Sequence, residues 1–291
     1  MKVFLVLLLS IVAAFSNADT DKGNTCFDSG DFTCALREFR AQADVGVAEA
    51  QYRLGEMYAV GIGAQQDMAT GLKWTRLAAE QGHIKAQYLL GFRYGDGQGV
   101  QRDYAEALKW YRLAAQQGDA NSQNQLGSMY VFGDGVKQDT TEAIKWYRLA
   151  AEQGHVVAQN FLGLRYGNGK GVAKNIVEAV KWFGLAAEQG NAGAQFSLAN
   201  IYKQSHKDFK QELGKAIKWM RQAADQGHVI AQYSLGSMLE TGEGIKPDLS
   251  GAVKWYGQAA EQGHTGARDS LGRLYSKGTL AGRDTADGVK W

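Results

Sequence analysis

Small and apolar residues recur at helical spacing along almost the whole chain. Ala50, Leu54, Gly55 and Tyr58 form one stripe, which returns as Ala86, Leu90, Gly91, Tyr94 and as Ala158, Leu162, Gly163, Tyr166. Steps of four place such residues on one face of a helix. A second set, Ala107, Trp110, Ala114 and Ala115, predicts a partner helix whose buried side combines small residues with one large aromatic. All seven tryptophans hold that one position, at Trp74, Trp110, Trp146, Trp182, Trp219, Trp255 and Trp291, 36 residues apart with a single step of 37. A fixed period of this length predicts stacked helix pairs that bury their core between neighbours.

The polar positions punctuate the same period. Gly61-Ile62-Gly63, Gly97-Gln98-Gly99, Gly133-Asp134-Gly135, Gly169-Lys170-Gly171 and Gly242-Glu243-Gly244 predict turns in which glycine ends the first helix with positive φ. A phosphate loop would need a preceding strand, and the pattern predicts none. Asp67, Asp103, Asp139, Asn175, Asp248 and Asp284, with Glu212 in one irregular unit, are expected to cap the second helix. Glu106, Glu142 and Glu178, three residues later, complete the pattern of a capping box. The glycine inside the first stripe costs about 1 kcal/mol relative to alanine, so its recurrence predicts a close approach by a neighbouring helix. Ala199 is the exception. Each tryptophan is expected to wedge between successive units, and the lysine before it to lay its stem along the ring with the ammonium in water.

The ends and one interior unit depart from the pattern. Cys26 to Gly46 holds a diverged half-unit, with Ala35-Leu36-Arg37-Glu38-Phe39-Arg40 in register with Ala107 to Arg112 and Glu38 in the tryptophan place. It reads as the water-facing cap of the array. The unit from Asn191 to Gly227 replaces its glycine turn with a basic loop, Lys203 to Lys210. The last unit reaches only Trp291 and is incomplete.

Composition narrows the picture. With 32 basic and 30 acidic residues the net charge is +2, which gives no strong nonspecific pull toward nucleic acid or anionic lipid. Lys2, the apolar run Val3 to Phe15 and Ser16-Asn17-Ala18 read as a signal peptide over residues 1–18, cleaved before Asp19. No later stretch is long and apolar enough to span a membrane. Cys26 and Cys34 are the only cysteines, and in an exported chain the expected outcome is one structural disulfide. The domain reading is therefore signal peptide 1–18, capping half-repeat 19–46 and repeat array 47–291.

The segments Leu-Gly-x-x-Tyr, Gly-x-Gly-Val, Asp-x-x-x-Ala and Lys-Trp-Tyr-x-x-Ala-Ala-x-x-Gly resemble the Sel-one-like repeat family, a relative of the tetratricopeptide repeats, from about Gly46 to Trp291. The resemblance implies an all-α fold, a right-handed superhelical solenoid of helix-turn-helix repeats whose first helices line the inner, concave surface. It also implies an adaptor role in protein complexes, commonly in bacterial exported proteins. Carried over from tetratricopeptide folds, the groove positions are Tyr52, Tyr88, Asn124, Asn160, Phe196, Tyr233 and Asp269, flanked by Glu56, Phe92, Ser128, Leu164, Asn200, Ser237 and Arg273. They vary from unit to unit while the core positions barely change. Their asparagines suit a peptide backbone and their aromatics suit apolar side chains, so the partner expected is a protein or extended peptide.

His83, His155, His228 and His264 follow the closing glycines and read as helix-start residues, too far apart to share a metal. His206 stands in the basic loop. No nucleophile-base motif is present. The expectation is an exported adaptor or assembly factor, periplasmic or secreted, with no catalytic residues, cofactor or metal. Two alternatives stay open: a protein that binds or hydrolyses cell-wall fragments or β-lactams, as cysteine-rich family members do although their recurring cysteines are missing here, and a secreted factor that engages a host protein.

Overall fold

The computed structural model describes residues 21–204 and 211–276. The proposed signal peptide, Ser205 to Lys210 with His206, and the final half-unit with Asp284, Lys290 and Trp291 lie outside the described residues.

Among the described residues every regular element is a helix. Helix α1 covers 21–28. It is followed by α2 (Phe32–Asp44), α3 (Ala48–Val60), α4 (Met68–Glu80), α5 (Ile84–Asp96), α6 (Tyr104–Gln116), α7 (Ala120–Phe132) and α8 (Thr140–Glu152). The series continues with α9 (Val156–Asn168), α10 (Ile176–Glu188), α11 (Ala192–Lys203), α12 (Leu213–Asp225), α13 (Val229–Thr241), α14 (Leu249–Glu261) and α15 (Thr265–Ser276). The odd-numbered helices from α3 onward are the first helices of the repeat and the even-numbered ones the second. The chain forms two compact units, one ending at Ala150 and one beginning at Ala151.

Glycine ends the first helices as the pattern predicts: Gly61, Gly97, Gly133, Gly169 and Gly242 are C-caps with φ of 82, 74, 81, 68 and 78°. The second glycine of each pair has a different task. A Cβ on Gly63 would stand 2.5 Å from the Phe32 carbonyl oxygen, and one on Gly244 would stand 2.7 Å from Leu213 Cβ, so the turn lies on the start of the preceding second helix.

Capping is half of what the sequence suggests. Asp103 Oδ1 accepts from the amides of Ala105 and Glu106 at 2.9 and 3.1 Å, and Asn175 Oδ1 from Glu178 at 3.0 Å. The reciprocal half of the box does not form. Glu106 and Glu178 instead accept from the indoles of Trp110 and Trp182, each at 3.1 Å. The reason is that the cap amide is already taken: Asp103 N donates to Tyr94 O at 2.9 Å, and Asn175 N to Tyr166 O at 2.9 Å. Glu212 also departs from expectation. Its side chain makes no cap bond and reaches Lys215 Nζ at 2.8 Å. The lysines before the tryptophans do more than hold their ammoniums in water, because those of Lys109, Lys181 and Lys218 stand 5.1, 5.0 and 5.0 Å from the centroids of the following tryptophans.

In the first unit Trp110 joins Tyr52, Ala78, Ala79, Ala86 and Leu90 in one buried cluster, so the ring lies between repeats. In the second, Trp219 packs against the cluster of Ala186, Ala187, Ala194 and Leu198. At the N-terminus Cys26 and Cys34 are disulfide-bonded with Cα atoms 5.7 Å apart, joining α1 to α2. There a Cβ on Gly23 would stand 2.6 Å from Phe39 Cε1.

A row of buried glutamines, unremarked in the sequence pattern, ties each repeat to its neighbour. Gln87 Nε2 donates to Ala79 O of the preceding repeat at 3.0 Å while its Oε1 accepts from Gln117 Nε2 at 2.8 Å. Gln195 repeats the arrangement with Ala187 O at 3.0 Å and Gln226 at 2.8 Å. A buried amide with both ends paired holds register between helices that apolar contacts alone would let slide.

Candidate functional site

The groove positions fall on the first helices, four residues apart within each, so each helix presents two of them on one face. Their neighbours on that face are the residues that start the next first helix. His83, His155, His228 and His264 are N-caps, each accepting through Nδ1 from the amide three residues on, at 3.2, 3.3, 3.2 and 3.1 Å. Asp119 and Asn191 do the same with Oδ2 and Oδ1 at 2.7 and 2.8 Å.

In the first unit Tyr52 is buried and stacks on His83, with ring centroids 4.8 Å apart. Burial pushes its phenol up, and the hydrogen bond with Glu56 adds to the shift. Glu49 Oε2 lies 2.8 Å from His83 Nε2 and Oε1 lies 2.8 Å from Arg53 Nε. The hydrogen bond from His83, helped by Arg53, holds that carboxyl down to about 2 against the cost of burial. Arg93 is buried close to Glu56 and Tyr52; burial lowers its affinity for the proton and the Glu56 charge works the other way. Tyr88 is half-buried with its ring 5.8 Å from Tyr111, and Phe92 packs on the cluster of Tyr111, Leu126 and Met129. Asn124 Oδ1 is buried without a protein partner. Ser128 lines a cavity of about 220 Å³ with Gly95, Tyr104, Tyr111 and Gln125.

The second unit repeats these themes. Asn160 Oδ1 is again buried and unpartnered. Phe196 stacks on His228 at 4.7 Å and Tyr233 on His264 at 4.4 Å. Leu164 and Asn200 line a cavity of about 310 Å³ with Gly167, Phe183, Ser197 and Ile201. Ser237 is half-buried and Asp269 exposed. Arg273 is committed to Glu240, 2.6 Å away. Tyr256 donates to Glu240 at 2.9 Å, and burial together with that carboxylate pushes its phenol up to about 12.

The two cavities occupy equivalent places two repeats apart, and sequence reasoning missed them. Their signal is Arg-Tyr-Gly: Gly95 and Gly167 stand where the other repeats have Ala59, Val131, Lys203 and Glu240. No clash demands glycine there. A Cβ on Gly167 would meet Ala179 Cβ at 3.7 Å, an ordinary contact, so the missing side chain leaves space open. Among the described residues no group of three or more His, Cys, Asp or Glu side chains is placed to hold a metal. No helix there is long and apolar enough to cross a membrane. In each unit the first helices offer aromatic rings, amides and one cavity, a set suited to recognition.

The chain is similar in structure to a protective antigen present in uropathogenic Escherichia coli strains that displays an SLR fold. The identity is 36% and the TM-score 0.87 over 96% of this chain and 60% of that one. This chain thus spans 60% of that relative's length. It is also similar to a Sel1 repeat protein from Oxalobacter formigenes, with 30% identity and a TM-score of 0.69 over 83% of this chain and 96% of that one. No curated protein matches the chain. Six consecutive stretches, residues 48–83, 84–119, 120–155, 156–191, 192–228 and 229–264, match the Sel1 repeat, each pairing a first helix with the second helix that follows it. The chain therefore belongs to the Sel1 repeat family, an all-α solenoid scaffold of the protein-interaction type.

Proposed function

We propose that this protein is an exported adaptor or assembly factor that binds a protein or extended peptide through the face of its first helices and performs no chemistry itself. Tyr52, Glu56, Tyr88, Phe92, Asn124 and Ser128 would serve in the first unit, and Asn160, Phe196, Asn200, Tyr233 and Ser237 in the second. The supporting observation is the pair of side-chain-sized cavities, one per unit, opened by Gly95 and Gly167 beside Ser128 and Asn200. Ser128 and Asn200, which line the two cavities, could hydrogen-bond a peptide that enters them. The disulfide fits an oxidising compartment. The E. coli relative is a protective antigen, which favours a second form of the same reading in which a secreted protein engages a host partner.

Photoreactive residues at Tyr88, Asn160 and Phe196 in the native cell are expected to capture one partner, whereas Lys109 and Lys181 on the second helices are not. Capture from the second helices alone overturns the assignment. Saturable turnover of a chromogenic β-lactam, lost when Asn160 and Asn200 are replaced, would overturn the claim of no chemistry.

A further inference from the structure

We propose that His228 and His264 make the second unit's binding face acid-sensitive, because each imidazole both caps a first helix and stacks on an aromatic of that face. The stability half of this stands on geometry alone, while its consequence for partner release rests on the binding role proposed above.

Each ring accepts a backbone amide through Nδ1, at 3.2 Å for His228 and 3.1 Å for His264. An imidazole accepts there only when neutral and protonated on Nε2. A second proton turns Nδ1 into a donor facing a donor. It also sets a positive charge at the positive end of the helix dipole. The two effects have the same sign, so protonation of either ring removes a cap. The stability that the caps contribute is then complete while the rings are neutral and declines as they take up a proton in acid.

An aromatic ring, not a carboxylate, covers each imidazole. Phe196 of α11 covers His228 at 4.7 Å, and burial pushes that imidazole down. Tyr233 of α13 covers His264 at 4.4 Å, and Arg268 on α15 turns to the Ala260 carbonyl at 3.4 Å. His83 supplies the contrast. There Glu49, also paired with Arg53, lies 2.8 Å from Nε2. In the second unit the place of Glu49 is taken by Gly193 and Ile230, neither of which carries a charge.

The chain holds its own control, since Asn191 caps α11 at the same position with an acceptor that does not titrate. Thermal melts of the full chain from pH 7.5 to 5.0 are compared for wild type and the double variant His228→Asn/His264→Asn. A lost cap in a chain of this size moves Tm by about 2–4 °C. Wild type is therefore expected to lose about 4–8 °C more than the variant across pH 6.5 to 5.5, and parallel curves overturn the proposal. On wild type alone, two-dimensional ¹H–¹⁵N spectra of the imidazoles at pH 7.5 are expected to show the Nε2–H tautomer at both residues. Nδ1–H at either position overturns it as well. Neither readout involves a partner, so loss of the binding reading would leave both results standing.

Discussion

Gly91 lies flat against the ring of Tyr111, so close that a Cβ on the glycine would stand 2.6 Å from Cδ1. Gly127 meets Tyr147 and Gly163 meets Phe183 in the same way, each at 2.6 Å. In these three repeats, and at Gly236 against Tyr256, the aromatic after the tryptophan is thus the reason for the glycine inside the first helix; after Trp74 stands Thr75, whose Oγ1 would lie 2.5 Å from a Cβ on Gly55. Where the chain has Ala199 instead, the facing residue is the flexible Met220, and both are fully buried. Gly163→Ala is expected to destabilise by about 1–3 kcal/mol through overpacking. Adding Phe183→Met, which copies the natural Ala199 pair, is expected to recover much of that loss. Chemical denaturation of the two single variants and the double variant measures the coupling, and strict additivity would refute the pairing.

Removing Gln87 should cost more than removing Gln117. Gln87 is 3% exposed and bonded at both ends, so Gln87→Ala removes two buried hydrogen bonds at once, although the Ala79 carbonyl keeps the bond from Gly82 N at 3.0 Å. Such a loss is worth about 1–3 kcal/mol. Gln117 is exposed, and its loss leaves only the Gln87 oxygen to be rehydrated. Urea midpoints of the two variants give the order.

Glu49 predicts a second, more acidic transition in the first unit. Its carboxyl is held down to about 2 by the hydrogen bond from His83 and by Arg53. A carboxylate with a depressed folded pKa contributes stability that is complete above the unfolded value of about 4.3 and is lost as pH falls toward the folded one. Glu49→Gln is therefore expected to lower Tm at pH 7, with the difference shrinking between pH 4 and pH 2. The pair is partly exposed, so the effect should be small and weakened by salt.

Gly167→Val tests the cavity without disturbing the fold. Val131 already occupies the equivalent position in another repeat, and the space beside Gly167 is open. The variant is expected to keep the wild-type Tm within about 1–2 °C, since the side chain fills space at the surface. Capture through a photoreactive residue at Asn200 should fall. Undiminished capture with the cavity filled would mean that the partner does not use it.

Reduction should act on the N-terminal helices first. The Cys26–Cys34 bridge spans a separation of eight residues, for which the chain-entropy relation gives about 2–3 kcal/mol. Cys26→Ser/Cys34→Ser is expected to raise amide exchange in α1 and α2 and leave α13 and α14 unchanged.

Much of the fold was legible because its signals are local. A cap, a left-handed glycine and an apolar stripe each act within a few residues, so Asp103, Gly97 and the Ala86–Leu90 pair declare themselves without any neighbour. The partners of polar side chains were less legible. Glu106 reads as half of a capping box, yet it serves Trp110 because the carbonyl of Tyr94 reaches the cap amide first. The histidines read correctly as helix starts, but not as amide acceptors stacked on Tyr52, Phe196 and Tyr233.

The sequence by itself determined the period, the helix pairs and their ends, since these follow from backbone preferences and burial along one chain. Only the tertiary structure decided why Gly91 must be glycine, where Gln87 finds its partners and where Gly95 and Gly167 leave cavities. Those outcomes depend on which atoms of another helix arrive within a few ångströms, and that distance is set by packing between repeats rather than by any residue within one.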